Sequence, residues 1–278
     1  MREERQPVLM FAHDLLTTGD LDPIYVMLSR SELDRDQLRR WCLGYWMFYH
    51  AGVASALSEA RDGQAFWATV QRAQDLKWPR GTERRHFKGA QSQRAIDELR
   101  VRHPDPSEAV QFVEGEPGAH FTLVMARAQV WRGFGPWIAF KMADMVDAVL
   151  GGQVDFTGAV PHFFDDPLKG GTLVYHQVHT RHPDPVAAMK APTLRVDQIT
   201  YTHAAVEYLR ERLGDYPAPH APERKIALQE YETILCKYKS HMNGHYPTGK
   251  DTREIRHVLA GGWGKTAEHL MDLLPTVE

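Results

Sequence analysis

The chain has 278 residues, 43% hydrophobic and 25% charged, with a net charge of −3. That balance suits a globular protein with a large core, as one big domain or two intimately packed ones, and excludes indiscriminate coating of nucleic acid, so a DNA partner needs local basic patches. No run of eighteen apolar residues occurs, so no membrane span is expected.

Cys42 and Cys236 are too few for a disulfide scaffold and suit free thiols in a reducing cytoplasm. The opening MREERQPVLMF lacks the apolar core and cleavage site of a secretory signal. Apolar spacing predicts short helices over 7–17 and 23–29, broken at Gly19 and Pro23. Residues 35–60 read as one long apolar helix or a kinked pair, with Gly44 and Gly52 as the bends. Its Trp41, Tyr45, Trp46, Phe48 and Tyr49 are expected to form the central core. An amphipathic helix is expected at 64–76, a basic one over 83–101 and a short one after Pro106. Two more helices flank residues 132–136. The Gly- and Pro-rich 156–196 is expected to hold one short hairpin, with Thr172–His179 as a strand. Helices resume at 197–213, 222–240, 251–260 and 264–274. The pentapeptide RHPDP occurs at 102–106 and 181–185 and reads as a repeated helix-start turn. The fold class is therefore all-α with at most a small β-hairpin. It reads as a single compact unit, divisible into two lobes with a cleft between them: 35–120 plus the C-terminal helices, and 121–196.

The stretch 121–155 organises the rest. FTLVMARAQVW places Leu123, Ala126, Val130 and Trp131 on one helical side. The run stops at Arg132-Gly133-Phe134-Gly135-Pro136, and WIAFKMADMVDAVL begins a second helix. Two glycines one residue apart let the backbone adopt positive φ and approach another molecule closely. The helix that follows aims its free N–H groups and positive dipole end out of the turn, where a phosphate fits. Val154-Asp155 then delivers one acid beyond the helix end. An ordinary helical hairpin with a capping aspartate fits these residues equally well. The arrangement resembles the helix–hairpin–helix of base-excision DNA glycosylases on Gly133, Gly135, Ala139 and Val154-Asp155, over about 35 residues. That resemblance implies a turn at Gly133, Gly135 and Pro136, with Lys141 beyond it, gripping a DNA backbone phosphate. It also implies a role for Asp155 in chemistry at a flipped-out nucleotide.

A second stretch is Lys77-Trp78-Pro79-Arg80-Gly81-Thr82-Glu83-Arg84-Arg85-His86-Phe87-Lys88-Gly89. Residues 77–102 carry eight Lys or Arg against three acids, a local +5. Arginine forks grip phosphate oxygens in pairs, although a solvated basic face is the plainer reading. WPRGTERRHFKG resembles the signature of the phage α-glutamyl/putrescinyl thymine pyrophosphorylase family, also described as amino acid:DNA transferases and similar to the helix–hairpin–helix glycosylases. Leu235–His241, Gly244-His245-Tyr246 and Gly249-Lys250-Asp251 resemble its C-terminal block. The first forty residues are not placed by this resemblance.

The resemblance implies that an amine of glycine, glutamate or putrescine displaces pyrophosphate from the exocyclic methylene of activated 5-hydroxymethyluracil in double-stranded phage DNA. The setting it implies is the cytoplasm of the infected bacterial host. Arg80, Arg84, Arg85 and Lys88 would meet the charge growing on the leaving group. Lys237 and Lys239 would meet phosphate or a donor carboxylate. Asp155 would take the amine proton or steady the transition state, with Glu83 and His86 as local helpers. Reaching the methylene in a duplex calls for base flipping, with aromatics to stack on the base. No cofactor or metal is expected. The alternatives are a glycosylase using Asp155 on a modified base, and a non-catalytic DNA-binding module.

Weaker signals remain. Gly261-Gly262-Trp263-Gly264-Lys265-Thr266 fails as a P-loop because position 259 is Leu259 and no strand precedes it, so a helix start or a second hairpin is expected. His176, His179 and His182 lack an acid or cysteine to complete a zinc site. His50 reads as a satisfied core histidine, and Asp165-Asp166 as a solvated pair.

Overall fold

The computed structural model describes residues 6–276, so the secretory-signal reading of positions 1–5 lies outside the described residues. Among those described the chain is mostly helical, with one two-stranded antiparallel sheet. This is the architecture that the apolar periodicity predicts.

Helix α1 (Pro7–Thr18) closes at Gly19 in the left-handed conformation, and α2 (Pro23–Ser29) follows. Helix α3 (Arg35–Phe48) starts at a capping box in which Asp34 accepts from the Gln37 N–H. It ends at Tyr49, φ 50°, and α4 (Ala51–Ser58) restarts at once. The break therefore falls between the two expected bends. Gly44 and Gly52 serve close packing instead, since a Cβ would lie 2.9 Å from Leu57 at the first and 2.2 Å from Trp263 at the second.

After α5 (Gly63–Asp75), the expected basic helix over 83–101 is divided. A 3-10 turn, Thr82–Arg84, precedes α6 (Gly89–Arg102). The division lets Arg84 and Phe87 both be buried. Helix α7 (Pro106–Glu114) starts at the first RHPDP, where Asp105 accepts from the Ser107 N–H. Helices α8 (Phe121–Gln129) and α9 (Pro136–Ala148) flank the glycine turn. Helix α8 buries a different stripe from the expected one, of which only Trp131, just past the helix end, is buried. Phe121, Val124, Met125 and Ala128 are inside, while Leu123 and Val130 are half exposed. Both stripes recur at helical spacing, and the neighbours α7 and α9 decide between them.

The strand expected at Thr172–His179 is instead part of α10 (Asp165–Val178). Its Gly170 and Gly171 are packing glycines, where a Cβ would come within 2.0 Å of the Leu235 carbonyl and 2.2 Å of Thr202. Helix α11 (Pro185–Lys190) starts at the second RHPDP, with Asp184 accepting from Ala187, so the pentapeptide is a repeated helix-start turn. After α12 (Arg195–Leu213), the hairpin pairs β1 (Pro217–Ala218) with β2 (Ala221–Lys225). It lies outside 156–196, where it was expected, and takes the start of the helix expected at 222. Helices α13 (Leu228–Met242), α14 (Lys250–Leu259) and α15 (Lys265–Asp272) complete the chain. No helix among the described residues is long and apolar enough to cross a membrane.

The chain divides into two compact units. One comprises the chain up to Val26, Phe156–Arg253 and the residues from Pro275; in it α10 lies against α12 and α13, with α1 on α13. The other comprises Met27–Asp155 and Glu254–Leu274. It packs α3 on α4 and α7, α8 on α9, and α15 on α4. Trp41, Trp46 and Phe48 are fully buried in it, as their apolar bulk dictates. The basic stretch and the glycine hairpin both belong to this second unit.

Candidate functional site

The turn between α8 and α9 is built for close approach. Gly133 has φ 79°, and a Cβ there would meet the Phe87 ring at 2.7 Å. Gly135 is extended at ψ −179°, caps α9 without any side chain, and has open space where a Cβ would stand. Pro136 fills the first helical position, where no N–H is needed. The first N–H groups of α9 thus have no side-chain cap. A shallow groove of about 470 Å³ runs along the turn from Gln129 to Gly135, and the Arg132–Glu98 ion pair (2.8 Å) stands at its rim. Lys141 lies further along α9, part-buried and 3.4 Å from the buried carboxylate of Asp144.

The basic loop meets this turn. At its start Trp78 stands edge-on to Trp263, with ring centroids 5.4 Å apart. The Gly81 N–H donates to Phe48 O, and a Cβ on Gly81 would lie 2.4 Å from Tyr49 O. Arg80 donates to Met47 O at 3.3 Å and stacks 4.3 Å over Phe48. Arg84, only 6% exposed, donates through Nε to the same carbonyl (3.4 Å) and through Nη1 to Gly133 O (2.9 Å). Its guanidinium lies 4.0 Å from the Phe87 ring centre and 4.8 Å from that of Phe134.

Among the described residues no carboxylate forms an ion pair with Arg80, Arg84, Arg85 or Lys88. Burial lowers the Arg80 pKa to about 10, and burial followed by the charge of Arg80 lowers that of Arg84 to about 9. Both stay protonated near neutrality. The carbonyl at the end of α3 and the aromatic faces offset part of the cost of these charges. Arg85 is exposed and folds back onto Thr82 O (2.9 Å), and exposed Glu83 accepts from the Thr82 hydroxyl (3.1 Å). His86 and Lys88 are exposed.

Asp155 lies elsewhere in the same unit. Its N–H donates to Ala119 O (3.0 Å) and its carbonyl accepts from Phe121 N–H (2.9 Å), a short parallel bridge beside His120. The Asp155 side chain is exposed, and the preceding loop is pinned by Val154 N–H donating to Asp147 (2.9 Å). Asp155 thus stands at the start of α8, whereas Arg84 clasps the turn beyond its end. Nine helical residues separate the two by about 13 Å along the axis. Sequence reasoning missed His120, which caps α8 by accepting from Thr122 N–H (3.4 Å) and contacts the Thr122 hydroxyl at 2.7 Å. A histidine just before a Phe-Thr helix start was its only signal.

Lys237 and Lys239 belong to the other unit. Lys237, 8% exposed, donates to Asp20 O (2.6 Å) and pairs with Asp251 at 2.7 Å. Lys239 pairs with Asp166 at 2.8 Å. The fully buried Asp20 carboxylate accepts from the Tyr246 hydroxyl (3.0 Å), Gly249 N–H (2.7 Å), and the N–H and hydroxyl of Thr252 (3.0 and 2.7 Å). The C-terminal motif block therefore builds a buried polar knot around a residue that sequence reasoning did not single out.

The Gly261–Thr266 segment is a second helix–turn–helix. Gly262 has φ 79°, as Gly133 does, but Gly264 has φ 99° where Gly135 has φ −74°. Here the helix N-terminus is already filled, because Thr266 N–H donates to Glu59 Oε1 at 2.7 Å. His50 caps α4 by accepting from Val53 N–H (3.2 Å), and burial lowers its pKa to about 4. It is a satisfied, neutral histidine, as its setting after the aromatic run predicts. His176 and His182 rings meet edge-on with centroids 5.9 Å apart, while His179 packs on Tyr175 at 5.1 Å.

An open helical hairpin beside a loop of carboxylate-free arginines defines a protein suited to phosphate-bearing ligands. The amino acid:DNA transferase family matches residues 8–245, and the chain belongs to that family. It is similar to a glycinyltransferase of Pseudomonas phage PaMx11, at 40% identity over 99% of this chain and 98% of the relative. It is also similar to a putrescinyltransferase of Delftia phage PhiW-14, at 26% identity over 97% of this chain and 83% of the relative. The protein is a transferase.

Proposed function

We propose that the chain joins the amine of glycine to an activated thymine derivative in phage DNA within the infected bacterial cell. The amine nitrogen attacks the exocyclic methylene of 5-(pyrophosphoryloxymethyl)uracil. The carbon–oxygen bond breaks, pyrophosphate leaves with the electron pair, and the new ammonium gives up a proton. The observation that carries this reading is the arginine loop itself, which concentrates cations without carboxylate partners, as a polyanionic leaving group requires. A glycosylase has no such leaving group and gives the loop no purpose. The greater likeness to a glycinyltransferase than to a putrescinyltransferase supports glycine as donor.

In this reading the Gly133–Gly135 turn takes a DNA backbone phosphate, in the manner of a helix–hairpin–helix. Arg80, Arg85 and Lys88 face the pyrophosphate, and Glu83 and His86 shape the loop. Lys141 flanks the turn. Asp155 takes the amine proton, and the target base leaves the duplex to reach it. Lys237 and Lys239 act through the buried knot and its flank, which hold their unit's shape.

The test is nucleoside analysis of activated DNA after incubation with the protein and a pool of glycine, glutamate and putrescine. A nucleoside heavier by the glycine adduct supports the reading; free base and abasic sites would replace it with a glycosylase. Asp155→Asn should fold normally and turn over about 100-fold or more slowly, the usual contribution of a proton-transfer group. Transfer at the normal rate would remove Asp155 from the mechanism.

A further inference from the structure

Arg84 differs from its neighbours in the basic loop. Arg85, His86 and Lys88 are exposed and Arg80 is partly so, whereas Arg84 is 6% exposed. Two of its donors are spent on the backbone, one on Met47 O at the end of α3 and one on Gly133 O in the turn. Its Nη2 is buried with no hydrogen-bond partner. Phe87 and Phe134 cover the guanidinium, and these two rings contact each other at 5.8 Å. Phe87 also fills the space that a Cβ on Gly133 would need.

A cation this enclosed does not reach an external pyrophosphate, and burying it without a carboxylate is costly. The energy is not recovered in ion pairing. What the arrangement does secure is geometry, because a planar fork spans two carbonyls that lie 37 and 49 positions from Arg84 in the chain.

We infer that Arg84 is a positioning residue, not a pyrophosphate ligand: it locks the Arg80–Lys88 loop to the Gly133 turn. A DNA phosphate on the turn and a pyrophosphate on the loop are then held in one register. This rests on the transferase reading and deepens it. The lock gives the buried, unpaired guanidinium a purpose that neither stability nor leaving-group binding supplies. A lysine cannot serve, since one point charge does not span both carbonyls.

The experiment compares Arg84→Met, Arg84→Lys and Arg85→Ala in steady-state transfer, with pyrophosphate added as product inhibitor. Methionine fits an aromatic slot, so Arg84→Met should melt no lower than the parent. Its kcat should fall about 100-fold, the cost of misplaced groups, while inhibition by pyrophosphate stays within about twofold because no ligand was removed. Arg84→Lys should fail to restore kcat. Arg85→Ala should weaken pyrophosphate inhibition about tenfold, as loss of one charged contact does.

Pyrophosphate inhibition weakened in Arg84→Met as in Arg85→Ala would make Arg84 a direct ligand and overturn the inference. So would an unchanged kcat in Arg84→Met. Should Arg84→Met not fold, Arg84→Gln is measured in the same way. A parent protein inert on activated DNA would sink the transferase reading instead. Arg84 is then judged by binding of unmodified duplex. There Arg84→Met should bind about tenfold more weakly for want of a preorganised turn, and equal binding would overturn the lock.

Discussion

The Glu59 carboxylate accepts the Thr266 N–H at 2.7 Å and so occupies the N-terminus of α15, the place that stands open at the equivalent turn before α9. Two glycine turns, alike at Gly133 and Gly262 but not at Gly135 and Gly264, thus differ in what their helix starts hold. The second is closed from within and clamps α4, with its Trp263 seated on Gly52. Glu59→Ala should cost about 1 kcal/mol, the worth of a lost N-cap, or about 3 °C in melting temperature. Thermal melts check this, and an unchanged melting temperature would show that the contact stabilises nothing.

Gly133 and Gly135 should respond in opposite ways to the same substitution. At Gly133 a Cβ meets both a φ of 79° and the Phe87 ring, so Gly133→Ala should lose about 1–3 kcal/mol of stability. Gly135 has φ −74° and open space, so Gly135→Ala should melt like the parent. In the proposed reading its new methyl stands where the DNA backbone would approach, and duplex affinity should fall about tenfold. Denaturant titration and duplex binding, run on both variants, separate the two effects.

His50 should give stability a pH dependence with a defined sign. Its folded pKa, about 4, lies below its ordinary 6.5, so the unfolded chain takes up the proton first. The stabilisation held by the neutral ring is complete above pH 6.5 and is lost as pH falls toward 4. His50→Asn keeps an acceptor for Val53 N–H without titrating in this window. The melting temperature of the variant should therefore fall less steeply between those pH values. Parallel acid limbs would assign the dependence to other groups.

Asp20 takes four donors into a fully buried carboxylate. Asp20→Asn replaces one accepting oxygen with an NH2 that faces donors. The expected loss is about 2–4 kcal/mol, since buried donors are left unmet. Urea midpoints measure it. A loss below about 0.5 kcal/mol, the usual surface range, would mean that the knot rearranges freely.

The local rules of the fold were legible in the sequence. Helical spacing and Asp-Pro starts gave most helices, both RHPDP turns and the glycine hairpin, because these depend on residues a few positions apart. The WPRGTERRHFKG signature gave the family. Tertiary structure alone decided which face of α8 is buried and that Thr172–His179 is helical, since partners beyond the segment choose between patterns that sequence spacing permits equally. It alone separated Arg84 from Arg85, adjacent and identical in type, by reaching one of them to Gly133, 49 positions away. It tied Lys237 to Asp20 across 217 positions. Burial and pairing of charges depend on which distant segments meet, and no window of sequence contains both partners.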